Sequence, residues 1–179
     1  CGAYYEPEKE AIKKYIVSNG LTVKHLIATH GHVDHNFGDK FVFDTWGVKP
    51  EAGTADEKFF HAMPEQAKAI CGIDNLTQDD FVCLGKCLDE HDTVDFGSHR
   101  FTILETPGHS PGGLTYYCEE ERVAFTGDTL FQGSIGRTDF QGGSMFMMLM
   151  SLRHLSQLPD DVRVLPGHGP ETTIGAEVA

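Results

Sequence analysis

Four short stretches of the chain share one design: an apolar, strand-like run ending in a glycine-punctuated loop that carries histidine or aspartate. They are ATHGHVDH (28–35), ETPGHSPGG (105–113), FTGDTL (125–130) and LPGHGP (165–170). Set at the same ends of neighbouring strands, these loops bring His30, His32, Asp34, His35, His109, Asp128 and His168 together. That is the region where α/β sheets place ligands.

So many ionisable groups cannot enter a fold's interior unpaired without a large desolvation cost, and a metal ion is the compensator that suits them. Alternate residues of an extended segment point the same way, so His30 and His32 can share one ion while Asp34 and His35 reach a second. The two oxygens of Asp128 can bridge both. Five imidazoles and two carboxylates suit two divalent ions, zinc first with iron or manganese as alternatives, and leave positions for water. Taken singly, His109 or His168 is a hydrogen-bonded loop histidine and Asp128 a turn or cap residue. Their common placement at strand exits carries the metal assignment. His25, His61, His91, His99 and His154 lack that placement and are assigned no role.

The chain of 179 residues is expected to form a single domain, residues 1–179, long enough to bury a core without staples. A formal charge of −13 disfavours nucleic acid as a partner. No apolar run reaches the length that spans a bilayer. Cys1, Cys71, Cys83, Cys87 and Cys118 are odd in number and show no framework spacing. They point to free thiols in a reducing, cytoplasmic setting, with Cys83 and Cys87 as small core residues rather than half a zinc site. The first residue is Cys1, and the opening residues look like the end of a strand, so N-terminal strands are expected to be missing.

Along the chain, Pro7 opens a helix that places Ala11, Ile12, Tyr15 and Ile16 on one face and ends at Asn19-Gly20. VKHLIAT is a buried strand. Residues 36–47 fit strand or helix, and 55–71 a helix interrupted at Pro64. TVDFGSHRFTILET is a hairpin about Gly97-Ser98, and LTYYC pairs with RVAFT. Tyr116 and Tyr117 are cross-strand packing residues. A Met-rich helix at about 144–157 sets Phe146, Leu149, Leu152 and Leu155 at helical spacing, and DVRVLP is the last strand.

The motifs THGHVDH, TPGHSPGG, FTGDTLF, GSIGRTDF and LPGHGPET, in this order from Cys1 to Glu177, resemble those of the metallo-β-lactamase superfamily, and within it the glyoxalase II-like hydrolases. The resemblance implies an α/β fold of the αββα sandwich type, two sheets face to face with helices outside. It implies that His30, His32 and His109 hold one ion and Asp34, His35 and His168 the other, with Asp128 shared. Zinc β-lactamases, which carry Cys or another residue where Asp128 stands, are less similar. Glyoxalase II proper carries a C-terminal helical region for glutathione recognition; the similarity here is to short relatives without it.

The activity implied is hydrolysis of a small-molecule thioester, such as a glutathione thioester. Two ions activate a water, Asp34 helps to orient or deprotonate it, and a thiolate leaves without a general acid. Arg137 in GSIGRTDF is a candidate contact for an acidic substrate, against a structural pairing with Asp139. GRTDFQGG also resembles the same stretch of persulfide dioxygenases, in which His30, His109 and Asp128 would face a single iron. A lactonase and a non-catalytic metal-braced domain are weaker alternatives. Substrate identity, native metal and oligomeric state are not fixed by these motifs.

Overall fold

The computed structural model describes residues 1–178. Two sheets make the body. The first holds β1 (Leu26–Ile27), β2 (Pro50–Gly53) and β3 (Lys86–Leu88), all parallel in that order. The second holds β4 (Thr93–Phe96), β5 (His99–Glu105), β6 (Leu114–Cys118) and β7 (Val123–Gly127), which continue into β10 (Arg163–Pro166) and β11 (Thr172–Thr173). A small hairpin of β8 (Leu130–Phe131) and β9 (Ser134–Ile135) follows β7. The helices are α1 (Glu6–Ser18), α2 (Asp39–Trp46), α3 (Glu57–Phe60), α4 (Met63–Cys71), α5 (Met145–Leu155) and α6 (Ile174–Val178).

The strand β6 shows the layering. All five of its residues are buried, because both faces of the strand are covered. Tyr116 points between the sheets, where it joins Leu88, Val94, Phe101, Ile103 and Leu114, with Ile27 of the first sheet packed against them. Its hydroxyl donates to the Ala28 carbonyl at 2.8 Å and so ties the two sheets together. Burial of the ring, with no charged group to stabilise a phenolate, pushes its pKa far up, so Tyr116 stays a donor. Tyr117 points the other way, toward Leu155 of α5 and Ile174 of α6. On the far side of the first sheet, Ala52 packs on Phe60, Met63 and Ala67 of α3 and α4. Helix, sheet, sheet and helix are thus stacked as the expected sandwich. Each large apolar side chain sealed between layers contributes about 2 kcal/mol of transfer free energy.

Strand direction then positions the loops. The strand β6 is antiparallel to both β5 and β7, and β10 is parallel to β7, so β5, β7 and β10 all run the same way and end at one edge. The end of β1 joins them, because Leu114 N donates to the Thr29 carbonyl at 2.8 Å across the sheets.

Several elements differ from the pattern-based expectation. Only Leu26 and Ile27 of VKHLIAT are in ladder pairing. The ambiguous 36–47 segment is helical, and Gly47, at φ +72°, terminates α2 in the left-handed region. Residues 55–71 break at His61–Ala62; Pro64 lies in the first turn of α4, where its missing N–H costs nothing. Arg122 belongs to the β6–β7 turn, at φ +52°. A further short strand, β11, follows DVRVLP. No residue of α1 is fully buried: Ala11 and Tyr15 are exposed, Tyr15 by 66%, while Ile12 and Ile16 are half-buried. In α5 the buried residues are Met148, Ser151 and Leu155, whereas Phe146 and Leu149 face solvent. All five cysteines are free, and Cys83 and Cys87 are exposed rather than core, Cys87 lying on the edge strand β3.

Candidate metal centre

The chain leaves β1 through Thr29 and enters a turn at Val33–His35, so that His30 and His32 reach inward while Asp34 and His35 follow at the lip. The β5–β6 loop brings His109, the exit of β7 brings Asp128, and the exit of β10 brings His168. The structure gathers all seven predicted residues. Ligating atoms of His30, His32 and His109 lie within 4.8 Å of one another, as do those of Asp34, His35 and His168, and those of His30, His35 and Asp128. The carboxylate of Asp128 stands between the groups: Oδ1 is 3.4 Å from His35 Nε2, and Oδ2 is 3.5 Å from His109 Nε2 and 3.6 Å from His168 Nε2. Asp34 Oδ2 lies 3.1 Å from His168 Nε2 and 3.4 Å from His35 Nε2.

Hydrogen bonding sets the chemistry of these nitrogens. His109 Nδ1 donates to the Arg137 carbonyl at 2.8 Å. A carbonyl only accepts, so Nδ1 carries a proton and Nε2 faces the centre, 2.8 Å from His32 Nδ1. Burial first, and then the neighbouring His35, His32, His109 and His168, hold the His30 pKa well below its ordinary value. Burial and His109 lower that of His32 to about 4. Both rings are therefore neutral at physiological pH, the form a cation needs. For Asp128, burial alone would raise the pKa, but the neighbouring His35, His109 and His168 outweigh it and leave it lowered, so the carboxylate is ionised.

Three buried atoms of the cluster have no hydrogen-bond partner: His30 Nε2, His35 Nε2 and Asp128 Oδ1. His35 and Asp128 are close enough to feel each other's charge but misaligned for a hydrogen bond. Unpaired lone pairs in a buried site are costly, and these three converge on the region where the histidines meet. The donor set fits a divalent cation.

Residues outside the motifs hold the loops in place. Asp56, fully buried, accepts from Gly31 N at 2.8 Å and Ser110 Oγ at 2.7 Å through Oδ2, and from Gly112 N at 2.6 Å through Oδ1. One carboxylate thereby clamps the first histidine loop to the second. Burial raises its pKa against the pull of those three bonds. Asn36 caps the carbonyls of His30 and His32 through Nδ2, at 3.1 and 2.7 Å. Neither residue stands in a ligand pattern; the only sequence sign of Asp56 is an acid just before the apolar pair Phe59-Phe60. Close approach explains Gly167, where a Cβ would overlap Asp128 Oδ1 and His35 Cε1. Gly127, at φ +53°, turns the chain so that Asp128 faces inward.

Arg137 is bidentate to Asp139, with Nε–Oδ1 at 2.6 Å and Nη2–Oδ2 at 2.7 Å, and its guanidinium lies 4.2 Å from the centre of the Phe140 ring. Its charge is paired within the loop, and its carbonyl serves His109. Among the described residues no helix is long and apolar enough to cross a membrane.

The chain is similar in sequence and fold to known proteins. Hydroxyacylglutathione hydrolase GloC of Haemophilus influenzae is 38% identical over 172 residues, an alignment covering 95% of this chain and 80% of that protein. BLEG-1, a B3 metallo-beta-lactamase, superposes with a TM-score of 0.85 at 34% identity, over 95% of this chain and 81% of its own. TTHA1623, solved in a di-iron-bound form, gives 0.85 at 32% identity, over 99% and 84%. The sequence pattern of the metallo-beta-lactamase superfamily matches residues 1–168, a span that contains every one of the seven clustered side chains. With its motifs, its layered sheets and its relatives in agreement, this chain belongs to the metallo-beta-lactamase superfamily.

Proposed function

We propose that the chain is a hydrolase of small-molecule thioesters that works with two divalent metal ions. The observation that carries this reading is the pair of donor triads flanking one ionised carboxylate, with three of the inward atoms lacking any protein partner. His30, His32 and His109 would hold one ion, Asp34, His35 and His168 the other, and Asp128 would serve both. Bound there, the ions lower the pKa of a coordinated water to about 7 and polarise a carbonyl oxygen. The protein's own part is positional. Asp56 and Asn36 hold the first loop, Arg137 O fixes the His109 tautomer, and Asp34, a third exposed, is the carboxylate at the open lip that orients the attacking water. A departing thiolate needs no proton, since free thiols have a pKa near 8.5. The likeness to the Haemophilus hydroxyacylglutathione hydrolase supports the choice of a thioester.

The test is elemental analysis of protein purified without added metal, followed by assays with S-lactoylglutathione, with glutathione persulfide in an oxygen electrode, and with a β-lactam, since BLEG-1 fits as well as TTHA1623. Two ions per chain and thioester turnover are expected. One iron per chain with oxygen consumed would replace the hydrolase by the persulfide dioxygenase that GRTDFQGG also resembles. Asp128→Ala is expected to lower turnover about a hundredfold or more and to cut metal content, read by the same two measurements.

A further inference from the structure

The cavity beside the first donor triad is apolar. About 250 Å³ of space opens next to His32, walled by Phe59, Ala62, Ala69, Ile70 and Phe140. The Phe59 and Phe140 rings stand 5.6 and 5.3 Å from the His32 imidazole, and Phe140 is 5.8 Å from His109, so an occupant abuts the donors directly. Of the lining side chains only His32 and Glu65 are ionisable, while Lys58 and Arg137 sit over the Phe59 and Phe140 rings at 5.3 and 4.2 Å. Gln66 Nε2 is spent on backbone, donating to Phe59 O at 2.9 Å and Gly31 O at 3.1 Å, while its Oε1 is a buried acceptor without a partner. Arg137 is already paired with Asp139 and Lys58 is not part of the lining, so the surface an occupant meets is chiefly apolar, with Glu65 its one carboxylate. Two alanines, one just before α4 and one within it, keep the space open. Its volume corresponds to roughly eight water molecules, so an acetyl or lactoyl group would leave most of it wet.

We infer that this pocket is the acyl subsite of the centre, shaped for an uncharged aliphatic or aryl acyl group considerably larger than acetyl, with the charged thiol half of the substrate lying outside it. The inference rests on the thioester reading above. Each methylene buried there raises affinity about fourfold until the pocket is full.

The test uses the metal-loaded protein in two series: calorimetric titration with straight-chain carboxylates from acetate to octanoate, and steady-state hydrolysis of N-acetylcysteamine thioesters of the same acyl lengths. Affinity and kcat/KM are expected to climb about fourfold per methylene beyond acetyl. Ala69→Trp fills the space and is expected to abolish that climb, while acetate affinity and metal content stay at the level of the parent protein. Ile70→Ser, which only weakens one wall, is expected to flatten the climb partly, and it carries the test if the tryptophan variant does not fold. A flat series in the parent protein, or a climb that survives in Ala69→Trp, overturns the subsite. Failure to hydrolyse thioesters of any length, with the carboxylate series still graded and still sensitive to Ala69→Trp, overturns the thioester reading and leaves the pocket's selectivity standing.

Discussion

At the scale of the residue, the seven candidate ligands were legible because each sits in a glycine-marked loop after an apolar run. Asp56 was not, since TADEKFF contains nothing that separates a clamp from an ordinary surface acid. Its role exists only once the two loops have been brought beside it. Removing it leaves Gly31 N, Gly112 N and Ser110 Oγ without their acceptor. Asp56→Ala is therefore expected to cost about 3 kcal/mol, measured by urea denaturation, and to loosen metal binding through displaced His30 and His32. The depressed histidines set a pH dependence. An unfolded chain protonates His32 near 6.5, whereas the folded metal-free centre refuses that proton until about pH 4. Between those values the unfolded state holds more protons, so stability is complete above 6.5 and falls as acid is added. In the presence of chelator, the unfolding free energy should drop progressively from pH 6.5 to 4, by about 2 kcal/mol for His32 after allowance for solvent. Stability that rises over this window on acidification would contradict the burial of these rings.

At the scale of the element, hydrophobic spacing located helices better than it oriented them. The Met-rich run formed α5 as expected, yet the buried face is Met148, Ser151 and Leu155. The reason is local. Met148 backs onto the Gly108 turn, and Ser151 Oγ donates to the Pro107 carbonyl at 2.6 Å, so the helix is docked on the His109 loop by a polar contact that no hydrophobic pattern reveals. Gly108 lies at φ +144°, and a Cβ there would come within 2.5 Å of Met148 Cα and 2.6 Å of its N. Gly108→Ala is expected to destabilise the fold by about 3 kcal/mol, from overpacking and backbone strain together, and to reduce metal content by shifting His109. Equilibrium unfolding and elemental analysis check both halves. The segment 55–71 was recognisable as helical but not as the wall of an apolar pocket. Phe59, Ala69 and Ile70 meet at one cavity only because α3 and α4 fold back beside His32.

At the scale of the whole molecule, the sandwich followed from the motif order, and its layers are explained by strands such as β6 that are covered on both faces. The first sheet and the second each contribute donors, so bound cations cross-brace the two halves. With free metal a thousandfold above its dissociation constant, the folded state gains about 4 kcal/mol. For a chain of this length that amounts to about 10 °C in Tm. Chelation is expected to lower the melting temperature by that amount in scanning calorimetry, and metal readdition to restore it; an unchanged Tm would mean that the centre does not link the layers. The donor set also extends from His30 to His168, and the contact between Asp34 and His168 spans 134 positions. A ribosome releasing this polypeptide from its N-terminus therefore exposes the first histidine loop long before the partners of that loop exist. Ion capture by the complete centre consequently waits for the emergence of the His168 loop, whatever the abundance of metal around the nascent chain.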